Sequence, residues 1–211
     1  MEELHDMLVE YNIHHIPNEC RRSWSDQFCD SKFPCYWEKV FEELQSVDKN
    51  KRVLEIGCGQ GDVTSILCYL GFNHIKAYEM DGMMSKVAID KLYMLFGRSE
   101  IVECRKYPQE AEKVDVLVLV NCAYADGCVT KEDFKKKMLS FYEKAGTPEI
   151  FLLEVIDSSY DIPDENFPYC LRLSSSDIDS LFPFASIHSY ETYRYPQNKR
   201  TKILYVIKQN K

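Results

Sequence analysis

No stretch of this sequence is apolar for long enough to cross a membrane; the strongest runs, such as Val116–Val120, have only the length of buried strands. No C-x-x-C pair occurs among the nine cysteines, which stand at 20, 29, 35, 58, 68, 104, 122, 128 and 170. An odd, unpatterned set of this kind argues for free thiols in a reducing compartment. Cys20, Cys29 and Cys35 with His14 and His15 match no zinc-binding spacing, so no metal is expected. The basic excess of a nucleic-acid binder is also missing. Lys and Arg number 26 against 34 Asp and Glu, for a net charge of −8, so no nucleic-acid partner is expected. The opening residues MEELHDMLVEYN are acidic and lack the apolar core of a signal peptide, which points to a soluble, cytoplasmic protein with no membrane partner. There is no internal repeat, low-complexity tract or sign of a second complete domain.

What is there suits one α/β domain with a modest extra segment: 211 residues, 45% hydrophobic and 28% charged. Residues 1–50 read as an N-terminal helical lid on the substrate side, with one helix over Glu2–Tyr11 and an interruption at Ile16-Pro17-Asn18. A second helix runs from after Pro34 to about Gln45, with Tyr36, Trp37, Val40, Phe41 and Leu44 on its apolar stripe. From residue 51 to 211 strand and helix signals alternate. Strands are expected at Arg52–Ile56, His74–Glu79, Glu100–Cys104, Val114–Val120 and Glu149–Ile156. Helices are expected at about Asp62–Leu70, Met83–Phe96 and Lys131–Lys144. The Lys135-Lys136-Lys137 run on the last of these reads as a solvated face. Residues from about 157 to 173 are polar and turn-rich and read as an insertion. A short helix (Ser174–Phe182) and a hairpin (Ala185–Tyr195 and Lys202–Lys208) close the chain. The fold class is therefore α/β: a doubly wound, seven-stranded, mostly parallel sheet with an antiparallel C-terminal hairpin and helices on both faces. Ligands of such sheets bind beyond the carboxyl ends of the strands.

Three of the eight glycines fall within Gly57-Cys58-Gly59-Gln60-Gly61, where the first strand turns into the first helix of the sheet. Glycine lets the backbone turn tightly and approach a ligand without Cβ interference. The helix beginning there offers free N–H groups and a partial positive charge, which suit a carboxylate. Glu55, just before the turn, is placed to accept a hydrogen bond from an ammonium group. The spacing is G-x-G-x-G after an acidic residue, not the G-x-G-x-x-G of dinucleotide sites. A second acid, Glu79, ends the next strand about twenty residues on, where a carboxylate holds ribose hydroxyls in nucleotide-binding sheets.

Together, Glu55-Ile56-Gly57-Cys58-Gly59-Gln60-Gly61 and Tyr78-Glu79-Met80-Asp81 resemble the first and second motifs of the class I S-adenosylmethionine (SAM)-dependent methyltransferases. The resemblance spans about residues 50–208 and includes the terminal hairpin. It implies SAM as cofactor and S-adenosylhomocysteine (SAH) as product. Gly57, Cys58, Gly59 and Gly61 would line the methionine part, Glu79 the ribose and Met80 the adenine. Asn121 and Cys122 would face the sulfonium. Many members carry an acid just after the third strand that bonds the adenine amine; here that stretch reads Glu103-Cys104-Arg105-Lys106-Tyr107.

Methyl transfer from a sulfonium is an in-line displacement whose leaving group needs no proton, and positioning alone can supply about 7–11 kcal/mol. A general base adds about 3–5 kcal/mol, so the sequence need not advertise one. The candidate bases are His14 and His15. Acceptor-side candidates are Tyr11, His15, Tyr124, Glu154, Asp157 and His188, with Asp126, Tyr160 and Tyr193 near them. The 14 tyrosines and 11 phenylalanines suit either a cationic acceptor or an ordinary core. The expected activity is N- or O-methylation of a small molecule. The alternatives are a protein or peptide methyltransferase and a SAM-binding protein without transfer activity. The motif of the amino-methylating DNA enzymes is absent at Asn121-Cys122-Ala123-Tyr124. Oligomeric state is not legible.

Overall fold

The computed structural model describes residues 1–22, 35–107, 111–120, 122, 127–165, 167–195 and 200–210. The chain divides into two units, Met1–Pro108 and Gln109–Lys211.

In the first unit, Leu4, Leu8 and Tyr11 recur at helical spacing and form the buried face of α1 (Glu2–His14). This helix runs one turn further than its sequence pattern indicates. Pro17 then bars helical continuation, because its ring excludes the preceding residue from helical geometry. A 3-10 turn at Asn18–Cys20 follows. α2 (Cys35–Leu44) buries Tyr36, Trp37, Val40 and Leu44, the expected stripe apart from Phe41. Three parallel strands carry the rest of the unit: β1 (Arg52–Ile56), β2 (His74–Glu79) and β3 (Val102–Cys104), in the order β3-β2-β1. Ile56 lies opposite Tyr78, and Glu79 opposite Cys104, so the carboxyl ends of these strands are aligned. α3 (Asp62–Tyr69) connects β1 to β2, and α4 (Gly82–Phe96) connects β2 to β3. The Asp81 side chain caps α4 by accepting from the N–H groups of Met83 and Met84, at 2.8 and 3.1 Å, and left-handed Gly97 ends it.

The second unit contains β4 (Val116–Leu119), α5 (Lys131–Lys144), β5 (Ile150–Asp157), β6 (Arg172–Leu173), α6 (Ser175–Leu181), β7 (Ala185–Tyr195) and β8 (Arg200–Gln209). Its strand order is β4-β5-β8-β7; β4 and β5 are parallel, and β5-β8-β7 are antiparallel. β6 pairs with the last two residues of β5 and was not legible in the sequence. Reciprocal capping boxes start both helices, Thr130 with Asp133 on α5 and Ser174 with Asp177 on α6. Lys135, expected to be solvated, reaches Glu132 at 3.3 Å and Asp177 at 3.6 Å, while Lys136 is exposed.

The expected fold class stands: α/β, with seven main strands, mostly parallel, and an antiparallel hairpin at the C-terminus. The turn of that hairpin, 196–199, lies outside the described residues. β5 ends one residue beyond its expected limit, at Asp157, and Glu154 sits inside the ladder opposite Leu204. The buried Arg172 donates from Nε and Nη2 to the Phe167 carbonyl, from Nη1 to the Tyr160 carbonyl, and from Nη2 to the Ile162 carbonyl at 2.8 Å. Its guanidinium also lies 4.5 and 4.1 Å from the ring centroids of Tyr160 and Tyr169.

Among the described residues, no helix is long and apolar enough to cross a membrane, and no group of three His, Cys, Asp or Glu could hold a metal ion.

Candidate functional site

The aligned ends of β1 and β2 converge on the glycine turn. Gly57 and Cys58 both donate their N–H groups to the Tyr78 carbonyl, at 2.8 and 3.1 Å, so the turn stays stitched to β2 after β1 has ended. Gly61 N–H donates to the Cys58 carbonyl at 2.8 Å and closes the loop. Gly57, Gly59 and Gly61 have φ of +73°, +55° and +79°. Three left-handed residues at alternate positions curl the main chain around the start of α3, a conformation that side chains resist. Gly61 is doubly constrained, since an added Cβ would lie 3.1 Å from the Ala88 Cβ on α4.

The two acidic markers occupy different places. Glu79 bridges the site: one carboxylate oxygen accepts from the Gly59 N–H at 2.9 Å, and the other from the Asp81 N–H at 2.8 Å. Each oxygen keeps a further lone pair, so the carboxylate is oriented and still able to accept from two hydroxyls. Met80 beside it is 45% exposed, a flat sulfur-containing surface next to the carboxylate. Glu55, in contrast, is 1% exposed and accepts from the Thr64 hydroxyl at 2.5 Å. Burial pushes its carboxyl up to about 8, the Thr64 hydrogen bond opposes that rise, and the nearby Asp62 and Glu79 charges add to it. Glu55 is thus tied to the first turn of α3 through Thr64. Asp62 and Lys91 form a buried pair at 2.6 Å behind the same turn.

The other expected residues are distributed as follows. Cys58 is buried in the turn and Cys122 is half-buried, whereas Asn121, Tyr124 and Asp126 lie outside the described residues. Tyr11 is buried, its hydroxyl 3.5 Å from the Val87 carbonyl, and burial together with the Asp90 charge pushes it up to about 12. His14 is exposed and 3.6 Å from Glu10; His15 is exposed, with its ring 5.4 Å from that of Tyr11. In the second unit, Glu154 is buried. It accepts from the Thr192 hydroxyl, which a bulge between Glu191 and Tyr193 aims at it, and it has the Lys202 ammonium 3.9 Å away. Asp157 ends β5, Tyr160 is buried and His188 is exposed on β7. No side-chain contact joins His14 or His15 to the glycine turn in the way that Glu79 is joined to it.

Sequence reasoning missed Thr64, Gln60 and Asp81. Asp81 had a legible signal, an Asp immediately before a helix. The partners of the other two are set by tertiary contact alone.

No family model matches the chain, and no curated protein matches it by sequence. Solved structures do match. Magnesium protoporphyrin IX methyltransferase from Synechocystis PCC 6803, solved with bound SAH, aligns at a TM-score of 0.63 and 12% identity, covering 98% of this chain and 100% of that one. A SAM-dependent methyltransferase from Clostridium acetobutylicum aligns at 0.60 and 12%, covering 88% and 96%. TehB from Haemophilus influenzae aligns at 0.60 and 13%, covering 89% and 66%. At these identities the likeness is one of fold, and the fold of this chain is that of the class I SAM-dependent methyltransferases.

Proposed function

We propose that this protein is a SAM-dependent methyltransferase acting on a nitrogen or oxygen of a small-molecule acceptor. The observation that carries the cofactor assignment is Glu79. Its carboxylate is hydrogen-bonded to Gly59 of the turn and to Asp81 ahead of α4, which holds it ready for a vicinal diol. The glycine turn and the N-terminus of α3 suit a carboxylate, and the exposed Met80 suits the face of an aromatic base. When bound, SAM supplies an electrophilic methyl group on a sulfonium. The protein's part is to hold donor and acceptor in line and to exclude water. A base is required only where the acceptor nucleophile carries a proton at working pH, and His14 and His15 are the candidates offered for it. Tyr11, His15, Glu154, Asp157 and His188, with the Tyr124 position, are offered as acceptor-side residues, and Cys122 with the Asn121 position as facing the sulfonium. Residues 1–50 are offered as the segment that shapes the acceptor side.

A cytoplasmic setting is proposed on the odd, unpatterned set of nine cysteines in the sequence. Small-molecule transfer is preferred to nucleic-acid methylation because the net charge is −8. The test is transfer of labelled methyl from SAM into fractions of a cell extract. Label in the low-molecular-weight fraction supports the proposal. Label confined to protein makes this a protein methyltransferase, and label in no fraction, with SAH binding intact, makes it a SAM-binding protein without transfer activity.

A further inference from the structure

Gln60 occupies a non-glycine position of the turn, and its side chain leaves the turn altogether. It is buried, and its Nε2 donates at 2.8 Å to the carbonyl of Cys20, 40 positions earlier in the chain. The acceptor belongs to the 3-10 turn Asn18–Cys20. Tyr11, Ile16 and Cys20 pack with Met84 and Val87 of α4, so the same segment lies against the helix that follows Glu79. Arg21 Nη2 donates to the Ile13 carbonyl at 2.6 Å and folds the segment back on the end of α1. The direction of α1 explains this meeting. Glu3, at its beginning, accepts from the hydroxyl of Tyr69 at the end of α3, at 2.8 Å. The two helices therefore run in opposite senses, and the end of α1 arrives where α3 begins, at the glycine turn.

We propose that Ile16–Cys20 is a wall of the cofactor site, latched to the glycine turn by Gln60, so that cofactor binding and closure of this segment are one equilibrium. This rests on the SAM assignment. Gln60 is then a positioning residue: it touches the segment, and the segment shapes the site. A ligand that binds only the latched state must stabilise it in proportion to its concentration over Kd. The latch in turn raises cofactor affinity, by up to the free energy its hydrogen bond contributes.

The test compares wild type with Gln60→Met, which keeps the volume and removes the donor, and with Gln60→Ala. Each is titrated with SAH, and each is digested with trypsin with and without SAH while cleavage after Arg21 and Arg22 is followed. Cleavage within Lys135–Lys137 of α5 serves as the control for global unfolding. SAH is expected to slow cleavage after Arg21 and Arg22 in wild type. Gln60→Met is expected to bind SAH about five- to tenfold more weakly, since a buried neutral hydrogen bond is worth that much. It is also expected to be cleaved faster at Arg21 and Arg22 but not at α5. The proposal is overturned if wild type binds SAH while Gln60→Met binds it equally well, or if SAH leaves the Arg21 and Arg22 cleavage unchanged. No binding by folded wild type would overturn the SAM assignment itself.

Discussion

Replacing Gly61 by Ala applies two separable strains to one position. The first is conformational: at φ +79° an L-residue with a Cβ pays about 1–2 kcal/mol relative to glycine. The second is steric, because the new methyl would lie 3.1 Å from the Ala88 Cβ and 3.3 Å from its Cα. Main-chain atoms on a packed helix give way reluctantly, and overpacking of this kind costs about 1–3 kcal/mol. Gly61→Ala is therefore expected to lower the unfolding free energy by about 2–5 kcal/mol, measured by urea titration with an unchanged m-value. Ala88→Gly separates the two strains. Alone it costs about 1 kcal/mol of helix propensity. Combined with Gly61→Ala it removes the Cβ–Cβ conflict, so the double variant should be more stable than the sum of the single effects by about 1 kcal/mol or more. A loss below about 1 kcal/mol for Gly61→Ala, or strict additivity in the pair, would refute the claim that α3 and α4 meet at this glycine.

Two further perturbations follow from buried charge. The Glu55 carboxyl is pushed up to about 8 in the folded protein, above its ordinary value, so the folded state holds an extra proton between about pH 4.5 and 8. Stability due to this group is complete below that window and falls as pH rises through it, by up to about 1.4 kcal/mol per pH unit. Glu55→Gln should flatten that slope in urea titrations across the window; parallel pH profiles for the two proteins would show that Glu55 does not titrate there. Arg172→Lys exchanges a planar fork for a point charge that cannot serve the carbonyls of Tyr160, Ile162 and Phe167 together. It should cost about 2–4 kcal/mol and speed proteolysis within 157–171, whereas a stability within about 0.5 kcal/mol of wild type would remove the clamp as the organiser of that segment.

Much of the framework was legible because local chemistry marks it. β1 and β2 are short strands ended by a glycine turn and by a helix cap, and both have the limits expected from sequence. α4 ends at Gly97 because only a left-handed residue closes it, which the residue type announces. The pairing of Glu79 with the glycine turn followed from spacing, though its bonds to the Gly59 and Asp81 amides did not. What was hidden depends on long-range contact. β6 is two residues whose pairing exists only because β5 runs beside them. Glu55 and Glu154 are acids in apolar strands, and the sequence does not announce their internal partners, the hydroxyls of Thr64 and Thr192 respectively. A buried acid with an internal partner and one facing a ligand have the same sequence signature. His14 and His15 stood out by residue type, yet both are exposed at the end of α1.

The most direct test of the central claim is calorimetric titration of the protein with SAH, repeated on Glu79→Ala and Gly59→Arg. Micromolar binding is predicted for wild type. It should be abolished by Gly59→Arg and weakened about 10²-fold by Glu79→Ala, which removes both the diol acceptor and the anchor of the Gly59 amide. Absence of binding by folded wild-type protein, or affinity unchanged by both substitutions, would contradict the account and leave the glycine turn a structural feature of the fold.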